Sequence, residues 1–420
     1  MKKILFILYT CCILSFPVSA QQIPSFKAND RIVFLGNSIT EGGHYHSYIW
    51  LYYMTHFPNL PLRMYNGGIG GDCVSHMVYR FDSDIKIKKP TYLICSFGMN
   101  DSGFDGYNKP GYDKYANQQV EYAHTEFEKL QRQILADKKI KSVVLLGSPP
   151  YDENVKLKGV EALHGKNETI KRIIEMQAEV AQKRGWGFVN FNTVMCGLNK
   201  QIQLSDSTAT FCGGDRIHPD KDGHMVMAYL FLKAQGLAGQ EIASFQINAT
   251  NRKAMEERNC RISHIKNEND TISFRYLSRS LPFPIDTIPR WGTKGTARDA
   301  IRQIPFMQEM NQEIMKVTDL HGIFRVTIDG IEIGCWSGDE LSKGVNLAEI
   351  TCTPQYQQSL SIMHLNEERC AIEKRLRQYM AMQYVFFKHR GLLFADNKAA
   401  LDVALSLIHI SEPTRPRLIS

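Results

Sequence analysis

Five short apolar runs alternate with longer amphipathic stretches over the first half of this chain, and this alternation restricts the fold more than any other feature. Several of the runs end at Gly, Asn or Ser, as buried parallel strands do. The runs are residues 31–35, 62–65, 91–96, 142–146 and 187–190. Between them, helical periodicity is clearest over residues 116–137, 167–184 and 222–234. Strands that alternate with helices in this way predict an α/β fold, with a parallel sheet covered by helices on both faces.

A parallel sheet of this kind binds its ligands outside the carboxyl ends of its strands. Four short polar motifs lie at such strand ends or in late loops. They are Gly-Asn-Ser at 36–38, Asn-Gly-Gly-Ile-Gly-Gly-Asp at 66–72, Gly-Met-Asn-Asp at 98–101 and Asp-Arg-Ile-His-Pro at 215–219. We therefore expect the four motifs to meet at one edge of the sheet.

The second half of the chain has a different character. The 420 residues exceed what one ordinary domain requires, and residues 237–259 form a polar, charged stretch where a boundary is expected. Further on, residues 272–277 and Ile323–Ile328 have the composition of strands. The Asp329-Gly330 pair predicts a tight hairpin turn because Asp-Gly tolerates positive φ. Together with a long helical stretch over residues 354–388, these features predict a small C-terminal α+β appendage.

The two ends of the chain differ from the rest. Residues 1–20 combine Lys2 and Lys3, an apolar stretch and a small-residue cleavage site, as signal peptides do. A retained membrane anchor is the alternative, but the stretch is too short to span a bilayer comfortably. Residues 406–420 resemble translated sequencing-adapter read-through. The predicted organisation is a signal peptide at 1–20, units at 21–236 and 237–405, and a non-native tail at 406–420, in an exported protein that is periplasmic or secreted.

Charge and cysteine content restrict the classes of partner. The formal net charge is +7, but no dense Lys/Arg stripe with interleaved aromatics occurs, so nucleic-acid binding is not predicted. No membrane span is expected in the mature chain. The chain has ten cysteines, and eight remain when Cys11 and Cys12 of the leader are set aside. Their spacing does not match that of metal fingers. Cys73 and Cys95 are expected as buried thiols.

Cys196 and Cys212 are a candidate disulfide pair, because an exported protein can form such bonds. The sequence alone does not decide whether they pair.

The first and last motifs contain a possible nucleophile and its base. Ser38 lies where a buried strand ends and a helix begins, and a serine hydroxyl needs a base within hydrogen-bond reach to attack. A plain helix-capping role fits the same position of Ser38. His218 follows Asp215 by three residues, so the carboxylate can accept from one ring nitrogen while the other faces the nucleophile. A turn-forming surface loop is the alternative for that motif.

The two middle motifs offer donors for an oxyanion. Asn100 follows the buried run that begins at Tyr92 and exposes a side-chain amide. Gly71 lies in a glycine-rich turn whose backbone N–H groups can point into the same pocket, where such donors stabilise negative charge. Turn geometry for the glycines and a structural cap for Asn100 are the alternatives. The glycines do not form a dinucleotide fingerprint, because the third glycine of Gly-x-Gly-x-x-Gly is absent.

Taken together, the four motifs resemble blocks I, II, III and V of the SGNH, or GDSL-type, serine esterase superfamily, over about residues 30–235. The resemblance implies a flavodoxin-like three-layer sandwich with a five-stranded parallel sheet. It also implies that no metal or cofactor is needed. The matching positions are, in chain order, Ser38, Gly71, Asn100, Asp215 and His218.

The resemblance implies a role for each of these residues. Ser38 is the nucleophile, His218 is the base, and Asp215 orients the histidine. The oxyanion hole consists of the backbone N–H groups of Ser38 and Gly71 and the side-chain amide of Asn100.

At two positions the match to the family motifs is not straightforward. Asn37 stands where the family motif has Asp, but this position is not a triad member. Gly70 adjoins Gly71 and could be confused with it, and Asn66 at the start of the block favours Gly71. The ordinary α/β-hydrolase fold is disfavoured because no Gly-x-Ser-x-Gly elbow occurs.

Other side chains near the motifs have less specific signals. His44 and His46 follow the nucleophile closely, where packing or exposure is the simplest role and lining of the pocket the alternative. Tyr107, Tyr112 and Tyr115 lie in the insertion after the third motif. Contact with a sugar or an acyl group is conceivable there, but aromatic residues usually serve packing.

These features predict an exported serine hydrolase that cleaves carboxylic esters through a Ser-His-Asp acyl-enzyme mechanism. Export favours O-acetyl groups on glycans as the substrate. A lipase, acylhydrolase or thioesterase acting on lipid-like acyl esters is the alternative within the family. A non-catalytic glycan-binding member of the fold is the alternative from another class, and the intact triad argues against it. The expected partner is a small-molecule or glycan ester, and the oligomeric state is not predicted.

Overall fold

The first half of the chain forms a five-stranded parallel sheet in a computed structural model that describes residues 23–269, 271–289 and 293–402. Its strands are β1 Arg31–Gly36, β2 Arg63–Gly68, β3 Tyr92–Phe97, β4 Ser142–Gly147 and β5 Gly187–Asn190. They lie in the order β2-β1-β3-β4-β5, and all neighbours are parallel. Each strand overlaps one of the apolar runs, so the predicted parallel α/β sheet is confirmed. The predicted signal peptide and the predicted read-through tail lie outside the described residues.

Helices cover both faces of this sheet because alternate strand residues point to opposite sides. In β1, Ile32 and Phe34 belong to a core shared with the helices His44–His56 and Lys221–Ala234. Val33 and Leu35 pack on the other face with the helices Val74–Arg80 and Tyr112–Ala136. The helices of this half are α1 Ser38–Gly42, α2 His44–His56, α3 Val74–Arg80, α4 Tyr112–Ala136, α5 Lys166–Arg184, α6 Phe191–Ile202 and α7 Lys221–Ala234. The three predicted helical stretches correspond to α4, α5 and α7.

The strand order places a crevice between β1 and β3. From β1 the chain passes to β2 on one side and then to β3, β4 and β5 on the other. In open α/β sheets, ligands bind at such a switch point, outside the carboxyl ends of the strands. Ser38 opens the helix after β1, and Asn100 follows β3 by three residues. The topology therefore brings the first and third motifs to the same crevice.

The short helix α1 packs directly on the end of β2. A Cβ atom built on Gly68 would lie 2.2 Å from the backbone nitrogen of Glu41 and 2.8 Å from the carbonyl oxygen of Asn37. Both obstacles are backbone atoms, which cannot rotate away. The close approach of α1 to β2 therefore requires glycine at position 68.

We expect Gly68→Ala to lower the free energy of unfolding by about 1–3 kcal/mol, because the added methyl group overpacks this contact. Gly197→Ala is the matched control, since Gly197 lies within α6 and no atom lies within 4 Å of its built Cβ. That control should be neutral or stabilising by up to about 1 kcal/mol, because alanine is the better helix former. Urea unfolding followed by circular dichroism measures both, and equal stabilities would refute the close contact.

The second half of the chain forms three small sheets and four α-helices within the described residues. Strands β6, β7, β10 and β13 form a four-stranded sheet in the order β13-β10-β6-β7, while β8–β9 and β11–β12 are two-stranded. The strands are β6 Ala243–Asn248, β7 Lys253–Arg258, β8 Cys260–Glu268, β9 Thr271–Ser278, β10 Glu313–Thr318, β11 Ile323–Ile328, β12 Ile331–Ser337 and β13 Val345–Asn346. The helices are α8 Ala297–Ile301, α9 Phe306–Met310, α10 Gly338–Lys343 and α11 Pro354–Met382.

The predicted hairpin and the predicted long helix are both present. Asp329 and Gly330 connect β11 to β12 and have φ angles of 50° and 80°, as the Asp-Gly signal requires. Helix α11 then returns to the first half and packs against α2 and β2. The two halves also share one hydrophobic core. Buried residues of the second half in that core are Phe283, Ile285, Ala297, Ala300, Ile304, Phe306, Met310 and Met363.

The structure does not form the candidate disulfide between Cys196 and Cys212. The Cys196 thiol lies beside the side chains of Asn167 and Asn192, and the Cys212 thiol accepts from the Asn199 amide at 3.3 Å. All eight cysteines within the described ranges are free thiols. In the same part of the chain, no helix is both long and apolar enough to cross a membrane.

Candidate active site

Three side chains from the two outer motifs form one continuous hydrogen-bonded chain. Ser38 Oγ lies 2.7 Å from His218 Nε2, and His218 Nδ1 lies 2.5 Å from Asp215 Oδ2. The other carboxylate oxygen of Asp215 accepts from the backbone N–H groups of Ile217 and His218. The spacing of three residues thus lets the carboxylate hold both its own loop and the histidine ring. The structure brings Ser38, His218 and Asp215 together in the arrangement that the sequence predicts.

The electrostatics of Asp215 favour its ionised form. Partial burial alone would raise the pKa of Asp215. Hydrogen bonds from the His218 ring and from the backbone N–H groups of His218 and Ile217 lower it by more, so the pKa is below its ordinary value. An ionised Asp215 requires a proton on the ring nitrogen that faces it. The other nitrogen, Nε2, is then free to accept the proton of Ser38.

The loop that contains Asp215 and His218 is anchored by the side chain of Arg216. This residue has a φ of 70°, which non-glycine residues seldom adopt. Its buried guanidinium donates to the carbonyl oxygens of Asp152, Val155 and Val160. These bonds anchor the Asp215–His218 loop to the segment after β4. This role of Arg216 has no local signal in the sequence, because its acceptors lie about 60 residues away in the chain.

Asn37 is the N-cap of α1, and this explains how the departure from the family motif is accommodated. Its Oδ1 accepts from the backbone N–H of Ile39 at 3.0 Å, and the side chain is 2% exposed. Asparagine and aspartate cap helices about equally well. Ser38 therefore stands at the first helical position instead of the cap, and the plain capping role does not apply to it. Its own N–H precedes the first intrahelical hydrogen bond and points out of the helix start.

The backbone N–H of Gly71 differs from those of its neighbours in the glycine-rich turn. Ile69, Gly70 and Asp72 donate to Gly36 O at 3.1 Å, Glu41 Oε2 at 2.5 Å and Ile69 O at 3.2 Å, respectively. Among the described residues none accepts from Gly71, whose φ is 78° and whose built Cβ meets open space. This pattern distinguishes Gly71 from Gly70 more clearly than the motif letters do.

Asn100 is held so that part of its amide remains available. Its Nδ2 donates to the carbonyl oxygen of Asp72 at 3.0 Å, and a primary amide has a second N–H donor. The adjacent Asp101 is buried and accepts from the backbone N–H groups of Gly98 and Val74. These bonds tie the end of β3 to the start of α3. The turn that presents Asn100 is therefore fixed on both sides.

Lys166 holds the same turn through its side-chain ammonium group. Its side chain is fully buried, and burial lowers the pKa of its ammonium group to about 7. Its Nζ donates to Met99 O at 2.8 Å, Ser102 Oγ at 2.6 Å and Gly103 O at 2.5 Å. The acceptors flank Asn100 on both sides. The sequence predicted only that a helix begins near Lys166 and did not indicate this contact.

Arg80 links the first two motifs through hydrogen bonds of its buried guanidinium. It is 1% exposed and forms ion pairs with Asp72 and Asp84. Its Nη2 also donates to the carbonyl oxygens of Gly36, the last residue of β1, and Gly67, the last but one of β2. One guanidinium therefore fixes the relative position of the Ser38 segment and the glycine turn.

Most of the remaining sequence candidates serve packing, whereas Tyr112 is exposed. His46 is buried, lies 3.2 Å from Thr40 O, and has its pKa lowered to about 4 by burial. The ring of His44 contacts that of His224. Tyr107 packs edge-on against Tyr115. No group of three or more His, Cys, Asp or Glu side chains in the described ranges is arranged to hold a metal ion.

Comparison with known proteins points to the same chemistry. The GDSL-like Lipase/Acylhydrolase family model matches residues 34–226, and the model of the Diltiazem deacetylase C-terminal helical domain matches residues 360–408. The structure of a gut microbial diltiazem-metabolizing enzyme is 48% identical, with a TM-score of 0.90, over 93% of this chain and 89% of that one. Acetylxylan esterase from Geobacillus stearothermophilus is 23% identical over 224 residues, which are 50% of this chain and 95% of that protein.

Proposed function

Because this chain belongs to the GDSL-like lipase/acylhydrolase family and is a carboxylic ester hydrolase of the SGNH fold, we propose that Ser38, His218 and Asp215 are its catalytic triad. The observation that supports this most is the unbroken chain of hydrogen bonds from Ser38 Oγ to the Asp215 carboxylate. A binding module has no need of a nucleophile, a base and an orienting carboxylate in this arrangement.

The first half of the proposed reaction forms an acyl-enzyme. His218 Nε2 takes the proton of Ser38, and Oγ attacks the ester carbonyl carbon while the C=O π electrons move onto the oxygen. The N–H groups of Ser38 and Gly71 and the Asn100 amide stabilise that oxyanion. When the carbonyl re-forms, the bond to the alcohol oxygen breaks, and the alcohol leaves with the proton from His218.

The second half releases the acid. Water gives a proton to His218 Nε2 and attacks the acyl carbon, which again places negative charge on the carbonyl oxygen. Collapse of this intermediate breaks the bond to Ser38 Oγ, and the proton returns from His218 to the serine. Throughout, the Asp215 carboxylate stabilises the positively charged imidazolium and holds its orientation.

We propose that the acyl group is small and that acetyl esters are the substrates. Two names point in this direction: the curated relative is an acetylxylan esterase, and the model of the C-terminal helical domain is named for a deacetylase. The alcohol would be an O-acetylated glycan or, in view of the 48% identical relative, a small acetylated molecule. Export through the leader at residues 1–20, to the periplasm or the medium, belongs to the same proposal.

Acyl-chain preference tests this substrate class. We expect kcat/KM for p-nitrophenyl acetate to exceed that for the octanoate ester by at least about tenfold, because a pocket that fits one methyl group excludes longer chains. Purified enzyme is assayed with acetate, butyrate, octanoate and palmitate esters at equal enzyme concentration. A preference for octanoate or palmitate would favour the lipid-like alternative, and no turnover of any ester would favour the binding module.

A further inference from the structure

Helix α11 lies along the free edge of β2, the strand that leads into the glycine turn. β2 is the outer strand of the five-stranded sheet, so its outward backbone groups have no neighbouring strand to bond with. Two side chains of α11 take that place. Glu373 Oε1 accepts the N–H of Asn66 at 2.7 Å, and Arg377 Nε donates to the carbonyl oxygen of Gly68 at 2.9 Å.

Arg377 is also part of a buried cluster of charges. Its two η nitrogens donate to the two carboxylate oxygens of Asp84 at 2.8 and 2.7 Å. The same carboxylate pairs with Arg80 and Lys88. Burial alone raises the pKa of Asp84, but hydrogen bonds from Arg377 and the charges of Arg377, Arg80 and Lys88 hold it well below its ordinary value. The carboxylate is therefore ionised and binds both arginines at once.

These contacts form a short path from the C-terminal helix to the oxyanion site. Arg377 binds Gly68 O, and Gly68 is three residues before Gly71. On the inner side, Arg80 binds Gly36 O and Gly67 O and meets Arg377 at Asp84. The end of β2 is thus held from both edges by arginines that share one carboxylate.

We propose that Arg377 and Glu373 of α11 are positioning residues that set the location of the Gly71 N–H for the oxyanion. This inference rests on the proposed function, in which Gly71 is an oxyanion donor. Displacing a catalytic group by about 1 Å can cost about 10²-fold in rate. The long C-terminal helix therefore supports the active site by positioning an oxyanion donor, although none of its residues belongs to the proposed triad.

The geometry of Arg377 suggests the substitution that tests this role. A guanidinium presents donors in a fixed fork, so one side chain reaches Gly68 O and both oxygens of Asp84 together. A lysine retains the charge next to Asp84, but its one nitrogen cannot lie both where Nε meets Gly68 O and where the η nitrogens meet Asp84. Arg377→Lys therefore removes the link to β2 without leaving the buried carboxylate unpaired. Arg375→Lys is the matched control, because Arg375 is exposed on the same helix.

The experiment compares wild type, Arg377→Lys, Arg375→Lys and Ser38→Ala with p-nitrophenyl acetate. We expect Arg377→Lys to lower kcat by about 10- to 100-fold, with KM within about threefold and an unchanged pH profile, while Arg375→Lys matches wild type. A purely structural role would instead lower the active fraction and the melting temperature without this split. Active-site titration and thermal unfolding separate the two.

Each outcome decides between the possibilities. If Arg377→Lys matches Arg375→Lys in kcat, or if only KM changes, α11 does not position the oxyanion donor. If Arg377→Lys does not fold, Glu373→Ala replaces it, since Glu373 is partly exposed, and an unchanged kcat would overturn the proposal. Turnover by Ser38→Ala would overturn the proposed function itself. Loss in Ser38→Ala with full activity in Arg377→Lys would overturn the positioning role alone.

Discussion

Replacing Ser38 by alanine is expected to lower kcat for p-nitrophenyl acetate by about 10⁴- to 10⁶-fold. In the proposed mechanism Ser38 supplies the atom that bonds to the acyl carbon, so without it the acyl-enzyme cannot form. The residual rate would come from the oxyanion donors, which still stabilise charge when water attacks directly. Initial rates at saturating substrate measure this loss.

The fold should survive this substitution. Asn37 caps α1, so the Ser38 side chain is not needed to start the helix. We expect the free energy of unfolding to change by no more than about 0.5 kcal/mol. Ser75→Ala is the matched control, because Ser75 lies in the first turn of the neighbouring helix α3 and has no proposed role. If Ser38→Ala retains a tenth of wild-type turnover, Ser38 is not the nucleophile.

Replacing Asp215 by asparagine should lower kcat by about 10³- to 10⁴-fold. The Asn oxygen can still accept from the backbone N–H groups of Ile217 and His218, so the loop should keep its shape. Its amide N–H₂ would then face His218 Nδ1. That contact favours a proton on Nε2, where it blocks the proton transfer from Ser38. The variant therefore tests the orientation of the base with the loop left intact.

Asp206→Asn is the matched control for this change. Like Asp215, Asp206 accepts from a backbone N–H two residues further on, that of Thr208. It is exposed, and its side chain bonds to Thr208 and not to Ser38 or His218. Its replacement should leave kcat unchanged. A loss smaller than tenfold in Asp215→Asn would mean that the carboxylate does not set the tautomer of His218. The initial rates are best measured over a range of pH, so that a shift of the pH optimum is not mistaken for a loss of kcat.

Much of the catalytic half could be predicted from local sequence. Buried parallel strands are continuous apolar runs, and their ends are marked by Gly, Asn or Ser, so the five strands were visible one at a time. The Asp215–His218 contact is also local, since three residues separate the partners. Ser38 and Asn100 were predictable because strand ends in a parallel sheet converge on one edge.

The supports of the site could not be predicted, because their partners are distant in the chain. Arg377 binds a carbonyl oxygen 309 residues away, and Glu373 binds an N–H 307 residues away. A charged residue on an amphipathic helix looks the same whether it faces water or a buried strand edge. Likewise, the sequence left open whether Cys196 and Cys212 form a disulfide, and the fold keeps both thiols free with an asparagine partner each.

The two halves of the chain therefore cooperate more closely than their sequences suggest. The first half holds the proposed triad and the oxyanion donors. The second half contributes to the same hydrophobic core and sends α11 back to the edge of β2. A catalytic half expressed without α11 would expose that edge and leave Asp84 without one of its two arginines.

Covalent labelling with a fluorophosphonate, followed by peptide mass spectrometry, tests the central claim most directly. The reagent bonds to a serine that is activated by a neighbouring base, and it requires no knowledge of the natural substrate. We expect one adduct per chain, located on Ser38, with none in Ser38→Ala and slow formation in Asp215→Asn. An active enzyme that forms no adduct, or that forms it on a different serine, would contradict the assignment of Ser38, His218 and Asp215 as the catalytic triad.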